Sequence, residues 1–244
     1  MTLIFEEEKH KYTWLESPDT NLTSVSTLIG HYHEKFDSDK MSKRIADKRG
    51  VSQEEVLKEW EDKKVKSQIK GTLYHKRKED ELIGKKGVYE HLTHNGIKQA
   101  FDITDLKPGI YPELIVYHPE YDIVGTADIV IIYEDNSFDI QDHKTNEKLE
   151  FTGFPVFNKS TMKREPKKMF APIQHLDDSN GIHYTLQLSA YAFILEEAGY
   201  TPMNLTIHHV LFDEDETDIL VVDYPLNYLK KEVKLMFEHF KSKQ

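Results

Sequence analysis

The sequence contains no cysteine. Disulfides, thiolate zinc sites and cysteine-ligated iron–sulfur clusters are therefore closed to it. It has no apolar run approaching the roughly 20 residues that cross a bilayer. Its opening, MTLIFEEEKHKY, is acidic and amphipathic where a secretory leader would carry an apolar core. A cytoplasmic location with no membrane partner is expected. Neither G-x-x-x-x-G-K-[ST] nor G-x-G-x-x-G occurs, so no nucleotide cofactor is expected. No Pro/Gly/Ser-rich linker divides the 244 residues, which read as one domain with elaborations. Positive charge is also scarce: 32 Lys and Arg stand against 43 Asp and Glu, a formal net charge of −11. Taken alone, that argues against a nucleic-acid partner.

The cations that are present come in clusters. Asn158–Lys168 carries Lys159, Lys163, Arg164, Lys167 and Lys168 against Glu165 alone. Lys40, Lys43, Arg44, Lys48 and Arg49 form a second group and Lys76-Arg77-Lys78 a third, while Asp213–Asp218 concentrates acid. Phosphate contacts are local, so an acidic protein can still bind a nucleic acid through one basic channel. The alternative for each cluster is a solvated face.

The chain is organised around Gly125–Thr145, GTADIVIIYEDNSFDIQDHKT. Two runs rich in Ile, Val and Phe, Asp128–Tyr133 and Ser137–Asp142, flank the turn Glu134-Asp135-Asn136, the spacing of a hairpin. Asp128 opens the first strand. Asp142 and Lys144 are two apart and share a face, and pairing across the turn can bring Asp128 beside them. Two carboxylates and an ammonium on one patch suit a hard divalent cation or, equally in form, an ordinary surface ion pair.

Along the rest of the chain, Leu3–Phe5 and Tyr12–Leu15 read as strands around a charged turn. Ser24 or Ser26 caps a helix over Thr27–His31, and His31 and His33 read as surface or capping residues. Ser52 and Glu55 form a capping box that starts a helix through Val56, Leu57 and Trp60, and Ile69–Ile83 continues it or begins another. Within GTLYHKRKE, His75 and Glu79 are four apart on one face, and small Gly71 and Thr72 would let that helix approach the sheet. His75 is a metal ligand if the carboxylate hairpin lies nearby and a structural histidine otherwise. His91 and His94 are assigned to the end of this helical region as structural residues. Ile110–Tyr117 reads as a strand whose Glu113 faces either the same pocket or solvent. Phe151–Asn180 lacks periodicity and reads as a long flap. Gly181–Gly199 is a helix on Ile182, Leu186, Ala190, Phe193 and Ile194, with Gln187 and Tyr191 sharing another face. Leu205–Leu211 and Ile219–Val222 are strands joined by the acidic turn, with His208 and His209 structural. Leu226–Phe240 is an amphipathic helix.

Four signatures stand in fixed order: G-T-x-x-H-x-x-x-E at Gly71–Glu79, G-x-x-D at Gly125–Asp128, D-x-K-T at Asp142–Thr145, and Q-x-x-x-Y at Gln187–Tyr191. This order resembles the PD-(D/E)XK nuclease superfamily, in its RecB-like exonuclease branch, over about His10 to Gly199. The H-K-Y and SVSTLI of the opening and the Trp60 helix before Gly71-Thr72 look like phage-encoded members. The resemblance implies an α/β fold with a mixed central sheet flanked by helices, a restriction-endonuclease-like core with an N-terminal hairpin and helical elaboration. It divides the single nuclease domain 1–244 into an N-terminal hairpin with helices over residues 1–67, a catalytic core over residues 68–212 and a C-terminal strand and helix over residues 213–244. It also implies Mg²⁺- or Mn²⁺-dependent hydrolysis of DNA phosphodiesters with one or two ions. Asp128 and Asp142, the His143 carbonyl and His75 would hold metal, and Lys144 would position or activate water. Gln187 and Tyr191 would hold the substrate strand, and Glu79 and Glu113 would serve a second ion or support the first. The Lys159–Lys168 cluster would touch the DNA backbone. A DNA end or single strand is the implied partner, with a recombination or single-strand-binding protein beside it. The alternatives are a structure-specific endonuclease of the same fold or a non-cleaving end-binding module. The chain departs from some relatives in lacking cluster-binding cysteines and helicase motifs, and in placing His143 where an apolar or aromatic residue is usual.

Overall fold

The computed structural model describes residues 2–213 and 219–243. In chain order the elements are β1 (Leu3–Glu6), β2 (Lys11–Trp14), β3 (Thr23–Ser24), α1 (Val25–Gly30), α2 (Ser38–Arg49), α3 (Gln53–Leu82), β4 (Leu92–His94), β5 (Ile97–Gln99), β6 (Gly109–His118), β7 (Ile123–Ile132), β8 (Ser137–Lys144), β9 (Pro155–Asn158), β10 (Lys163–Pro166), α4 (Asn180–Glu197), β11 (Thr201–Phe212), β12 (Ile219–Leu226) and α5 (Lys230–Lys241). The expected mixed α/β architecture with a central mixed sheet flanked by helices is what the chain adopts. Among the described residues no helix is long and apolar enough to cross a membrane.

The main sheet runs β12-β11-β8-β7-β3, with β6 also on β7. The β8–β11 and β3–β7 pairs are parallel and the others antiparallel. On one face, buried side chains of α1, α4 and α5 join those of β6, β7, β8 and β11 in one core. Helix α4 is apolar nearly all round, as a helix buried on several sides must be. On the other face Ile115 and Val124 pack with Leu3, Phe5 and Trp14, which belong to a smaller antiparallel sheet β2-β1-β5-β4.

One irregularity in the sheet positions the site. The β6–β7 ladder pairs Pro112 with Ile129 and Leu114 with Ala127, leaving Glu113 and Asp128 opposite each other and unpaired. Glu113 has a left-handed backbone, φ 51°, which a non-glycine residue adopts only where its surroundings impose it. Side chains on a strand normally alternate, yet Tyr111 and Leu114 share the main core, as do Ala127 and Val130. Each strand therefore carries one surplus residue at the same level, and both surplus residues are acids. The second edge of β7 is divided as well: β8 pairs with Ile129–Ile132 and β3 with Ile123–Val124, so Gly125–Asp128 lie between two partners.

Local sequence explains most of the helices. The Ser52–Glu55 capping box forms, with Glu55 N–H donating to Ser52 Oγ at 3.1 Å and Ser52 N–H to the Glu55 carboxylate at 2.9 Å. The helix it starts runs unbroken for 30 residues to Leu82, so Ile69–Ile83 continues it. Ser24, and not Ser26, caps α1, which begins at Val25. Helix α2, capped by Asp37 and closed by left-handed Gly50, carries the second basic cluster.

Several expected boundaries move. Asp128 lies in the middle of its strand, which starts at Ile123. Phe151–Asn180 contains the hairpin β9–β10, where a segment without secondary structure is expected from the sequence. His91 precedes β4 and His94 ends it, so neither lies on a helix. Leu226 ends β12 and the last helix begins only at Lys230. Of the acidic turn Asp213–Asp218, all but Asp213 lies outside the described residues.

Gly125 is needed for a close approach. A Cβ there would stand 2.5 Å from Cε1 of Tyr191, a buried ring of α4. Gly125→Ala is expected to lower the unfolding free energy by about 1–3 kcal/mol in urea titration, as an over-packed core does. In a Tyr191→Ala background the same methyl should cost little.

Candidate metal centre

The site forms where α3 meets the interrupted ladder. Gly71 brings the helix in, since a Cβ at this position would lie 3.2 Å from Thr145 Oγ1 just beyond β8. One turn later Tyr74 packs edge-on to Phe212 and tilted against His143. His75 Nδ1 then reaches Asp128 Oδ2 at 3.1 Å. The same oxygen accepts the His143 N–H at 2.9 Å, so one carboxylate joins α3, β7 and β8. Donor atoms of His75, Glu113 and Asp128 lie within 4.8 Å of one another. Beside them Asp142, 2 % exposed, sits 2.7 Å from Lys144 Nζ through Oδ2. A carboxylate oxygen carries two lone pairs, so Oδ2 can accept a further partner beside the ammonium. Lys144 also lies 4.6 Å from the centre of the Tyr184 ring.

The charges answer to this crowding. Burial, then the nearby Asp128 charge, pushes the Glu113 carboxyl up to about 8. The same two causes raise Asp142 to about 6. Burial also works to raise Asp128, but the hydrogen bond and charge of His75, with Lys144 and the His143 N–H, outweigh it and hold Asp128 below the usual range. His75 is raised by its bond to Asp128. Burial acts to lower Lys144, but Asp142 and Asp128 together keep it above its ordinary value, so it is an ammonium. Burial takes the His143 ring down to about 4.

These residues fit a hard divalent cation. The donors are carboxylate oxygens and one imidazole, and burial together with the Asp128 charge raises two of the acids, a penalty that a bound cation would offset.

The residues singled out from the sequence do not all converge. His75, Asp128 and Glu113 do, with Asp142 and Lys144 alongside. His143 contributes its amide to Asp128, and its ring is buried near His208. Glu79 is taken up by Lys76 at 3.3 Å and Lys98 at 3.9 Å, and shares a 390 Å³ cavity with Glu113. Gln187 donates to the Tyr191 hydroxyl at 2.9 Å, and both line a 210 Å³ cavity with Glu113, Gly125 and Thr126. Of the basic cluster, Lys159, Lys163 and Arg164 are exposed. Lys167 is held by Asp178 and Glu34 at 2.9 and 3.1 Å, and Lys168 by Asp177. Lys76, Arg77 and Lys78 pair with Glu79, Asp80 and Glu81 along their own helix.

His91 is a site residue that spacing does not find. Its Nδ1–H donates to Gln99 O at 2.9 Å and its Nε2 accepts from Ile115 N–H at 3.2 Å, while burial keeps the ring neutral. Nε2 is also 3.1 Å from Glu113 O. The ring thus ties the end of β5 to the β6 backbone just after the left-handed residue.

No family model and no curated protein sequence matches the chain. Among solved structures, the chain is similar to one titled "Crystal structure of SSO0001", at 14% identity over 92% of this chain and 77% of that one, with a TM-score of 0.39. A likeness at that level bears on neither fold nor function.

The raised carboxyls set a pH dependence. Without a cation, the folded chain keeps a proton on Glu113 that the unfolded chain releases near pH 4.5, so stability falls as pH rises toward 8. Asp142 acts in the same sense up to about 6, whereas His143, depressed to about 4, acts in the opposite sense below its ordinary 6.5. Between pH 6.5 and 8 His75, raised by its bond to Asp128, acts in the same sense as Glu113, since the stability each contributes is lost as pH rises. The melting temperature of chelator-treated protein should fall across that window. Glu113→Gln should make the fall shallower, leaving the His75 contribution, and raise the value at pH 8 by roughly 2–6 °C.

Proposed function

We propose that the chain is a divalent-metal-dependent deoxyribonuclease that hydrolyses phosphodiesters at DNA ends, working in the cytoplasm in recombination, repair or phage DNA processing. The observation that carries this reading is the convergence of His75, Glu113 and Asp128, from α3, β6 and β7, beside the buried Asp142–Lys144 ion pair of β8. The order of the four sequence signatures supports it.

In this reading His75, Glu113 and Asp128 hold the cation, and Asp142 adds the oxygen that has acceptor capacity to spare. When bound, Mg²⁺ or Mn²⁺ supplies positive charge against the phosphoryl oxygens and makes water easier to ionise. Lys144, kept protonated by Asp142 and Asp128, acts as a donor. It orients the attacking water and stabilises charge on the phosphoryl group as one P–O bond gives way to another. Gln187, fixed by its bond to Tyr191, presents its amide carbonyl and second N–H to the strand. Exposed Lys159, Lys163 and Arg164 at the β9–β10 hairpin supply phosphate contacts in an otherwise acidic protein. A recombination or single-strand-binding protein would deliver the end.

End-labelled single- and double-stranded linear DNA and closed circular DNA should be incubated with Mg²⁺, Mn²⁺ or chelator. Linear DNA should be degraded with either metal, circles spared, and chelator should stop the reaction. Cutting of the circle would identify an endonuclease instead, and DNA binding without turnover an end-binding module. Asp142→Asn and Lys144→Ala should each lower cleavage by about 10²–10³-fold or more with unchanged circular dichroism. Full activity in either variant would overturn the site assignment.

A further inference from the structure

A second group of metal-type donors shares no residue with the Asp128 cluster. Donor atoms of His33, Asp178 and His183 lie within 4.8 Å of one another. His183 Nε2 is 3.0 Å from Asp178 Oδ1, and the His33 and His183 rings stack with centroids 4.3 Å apart. The proposed phosphodiester chemistry uses none of the three.

We propose that His33, Asp178 and His183 form a separate site for a divalent transition-metal ion of the zinc type. Two imidazoles and one carboxylate favour such an ion over magnesium, which prefers an all-oxygen shell. In four-coordinate zinc, bonds of about 2.0–2.1 Å put donor atoms roughly 3.3 Å apart, and the His183–Asp178 contact of 3.0 Å is already close to that spacing.

Each donor is oriented by a neighbour, as ligands of a metal site usually are. His33 Nδ1 donates to Glu34 O at 3.2 Å, which leaves Nε2 with its lone pair. Asp178, 8 % exposed, gives Oδ2 to Lys167 at 2.9 Å and turns Oδ1 toward His183. His183 Nε2–H faces Asp178 Oδ1 at 3.0 Å, so an entering metal ion would take the place of that proton between the two ligand atoms.

The backbones are equally fixed. The hydroxyl of buried Tyr32, next to His33, donates to Met236 O at 2.9 Å. Asp178 N–H donates to Lys167 O at 2.8 Å and His183 N–H to Ser179 O at 3.0 Å. Asp178 and His183 line a cavity of about 660 Å³ with Gly153 and Phe154, which leaves room for a water or another small ligand in the fourth position. His183 and Gln187 lie one turn apart on α4, so the second ion would stand about one helical turn from the candidate substrate-strand contact. It would also tie the segment after α1 to the start of α4, two stretches far apart in sequence.

The test uses the untagged full chain, stripped of metal, with excess Mg²⁺ present to occupy the oxygen-rich centre. Titration with Co²⁺, a visible-absorbing stand-in for Zn²⁺, should give a d–d band saturating at one equivalent and bleached by Zn²⁺. His33→Gln and His183→Gln should lose the band, and Asp128→Asn should keep it. Zn²⁺ at about 100 times its Kd should raise the wild-type melting temperature by roughly 5–10 °C and leave that of His33→Gln unchanged. A band that survives both histidine substitutions, a band lost in Asp128→Asn, or the absence of any zinc-dependent shift would overturn the proposal. If His183→Gln does not fold, the partly exposed His33→Gln decides alone. None of these readouts depends on DNA cleavage, so the site can fail while the nuclease reading stands, and the reverse.

Discussion

Oδ2 of Asp128 is the atom on which the arrangement turns. It accepts from the His75 ring and from the His143 amide, and so fastens a long helix to two strands at the level where their regular pairing stops. Helix α3 needs that fastening. Only Val56 and Tyr74 along its length are buried, so little apolar area holds it in place, and polar contacts beyond its middle must do what a core does elsewhere. The glycine at position 71 belongs to the same device, because it sets how near the helix can come.

The cost is electrostatic. Three acids, Glu113, Asp128 and Asp142, share a poorly solvated space with one ammonium and one imidazole. Like charges so placed cannot all ionise cheaply, and the burden falls unevenly: its donors hold Asp128 below the usual range, while Glu113 is pushed up to about 8 and Asp142, despite Lys144, to about 6. Backbone strain at Glu113, pinned by His91, adds to the expense. A bound cation would relieve this concentration of acid.

Much of this is legible in the sequence, and the reasons for the rest are specific. The β7–β8 hairpin, the Ser52 capping box and α4 each carry a strong local signal, and each forms. Asp128 reads as the start of a strand because Gly125 looks like a boundary, whereas the glycine's real role is to leave space for the Tyr191 ring. Helix α2 reads only as a basic cluster, since Lys and Arg obscure a weak apolar stripe. The hairpin β4–β5 turns on Asn95 and Gly96, both at positive φ, and that Asn-Gly pair is the local signal that marks it. Glu113 stays open between pocket and solvent because alternation along a strand decides such cases, and alternation slips by one residue there. Lys76, Arg77 and Lys78 look like a nucleic-acid surface but are neutralised by acids three and four residues on, a pattern that helix geometry alone can expose.

The slip has a consequence for how such a centre can be gained or lost. Removing Glu113 and Asp128 together would leave Pro112–Ile129 and Leu114–Ala127 as neighbouring pairs of an unbroken antiparallel ladder, with the same side chains still facing the core. Removing either alone would leave the other as a simple bulge. Two acids of the candidate centre are thus one surplus residue in each of two adjacent strands, and a regularly paired version of the same sheet lies two deletions away.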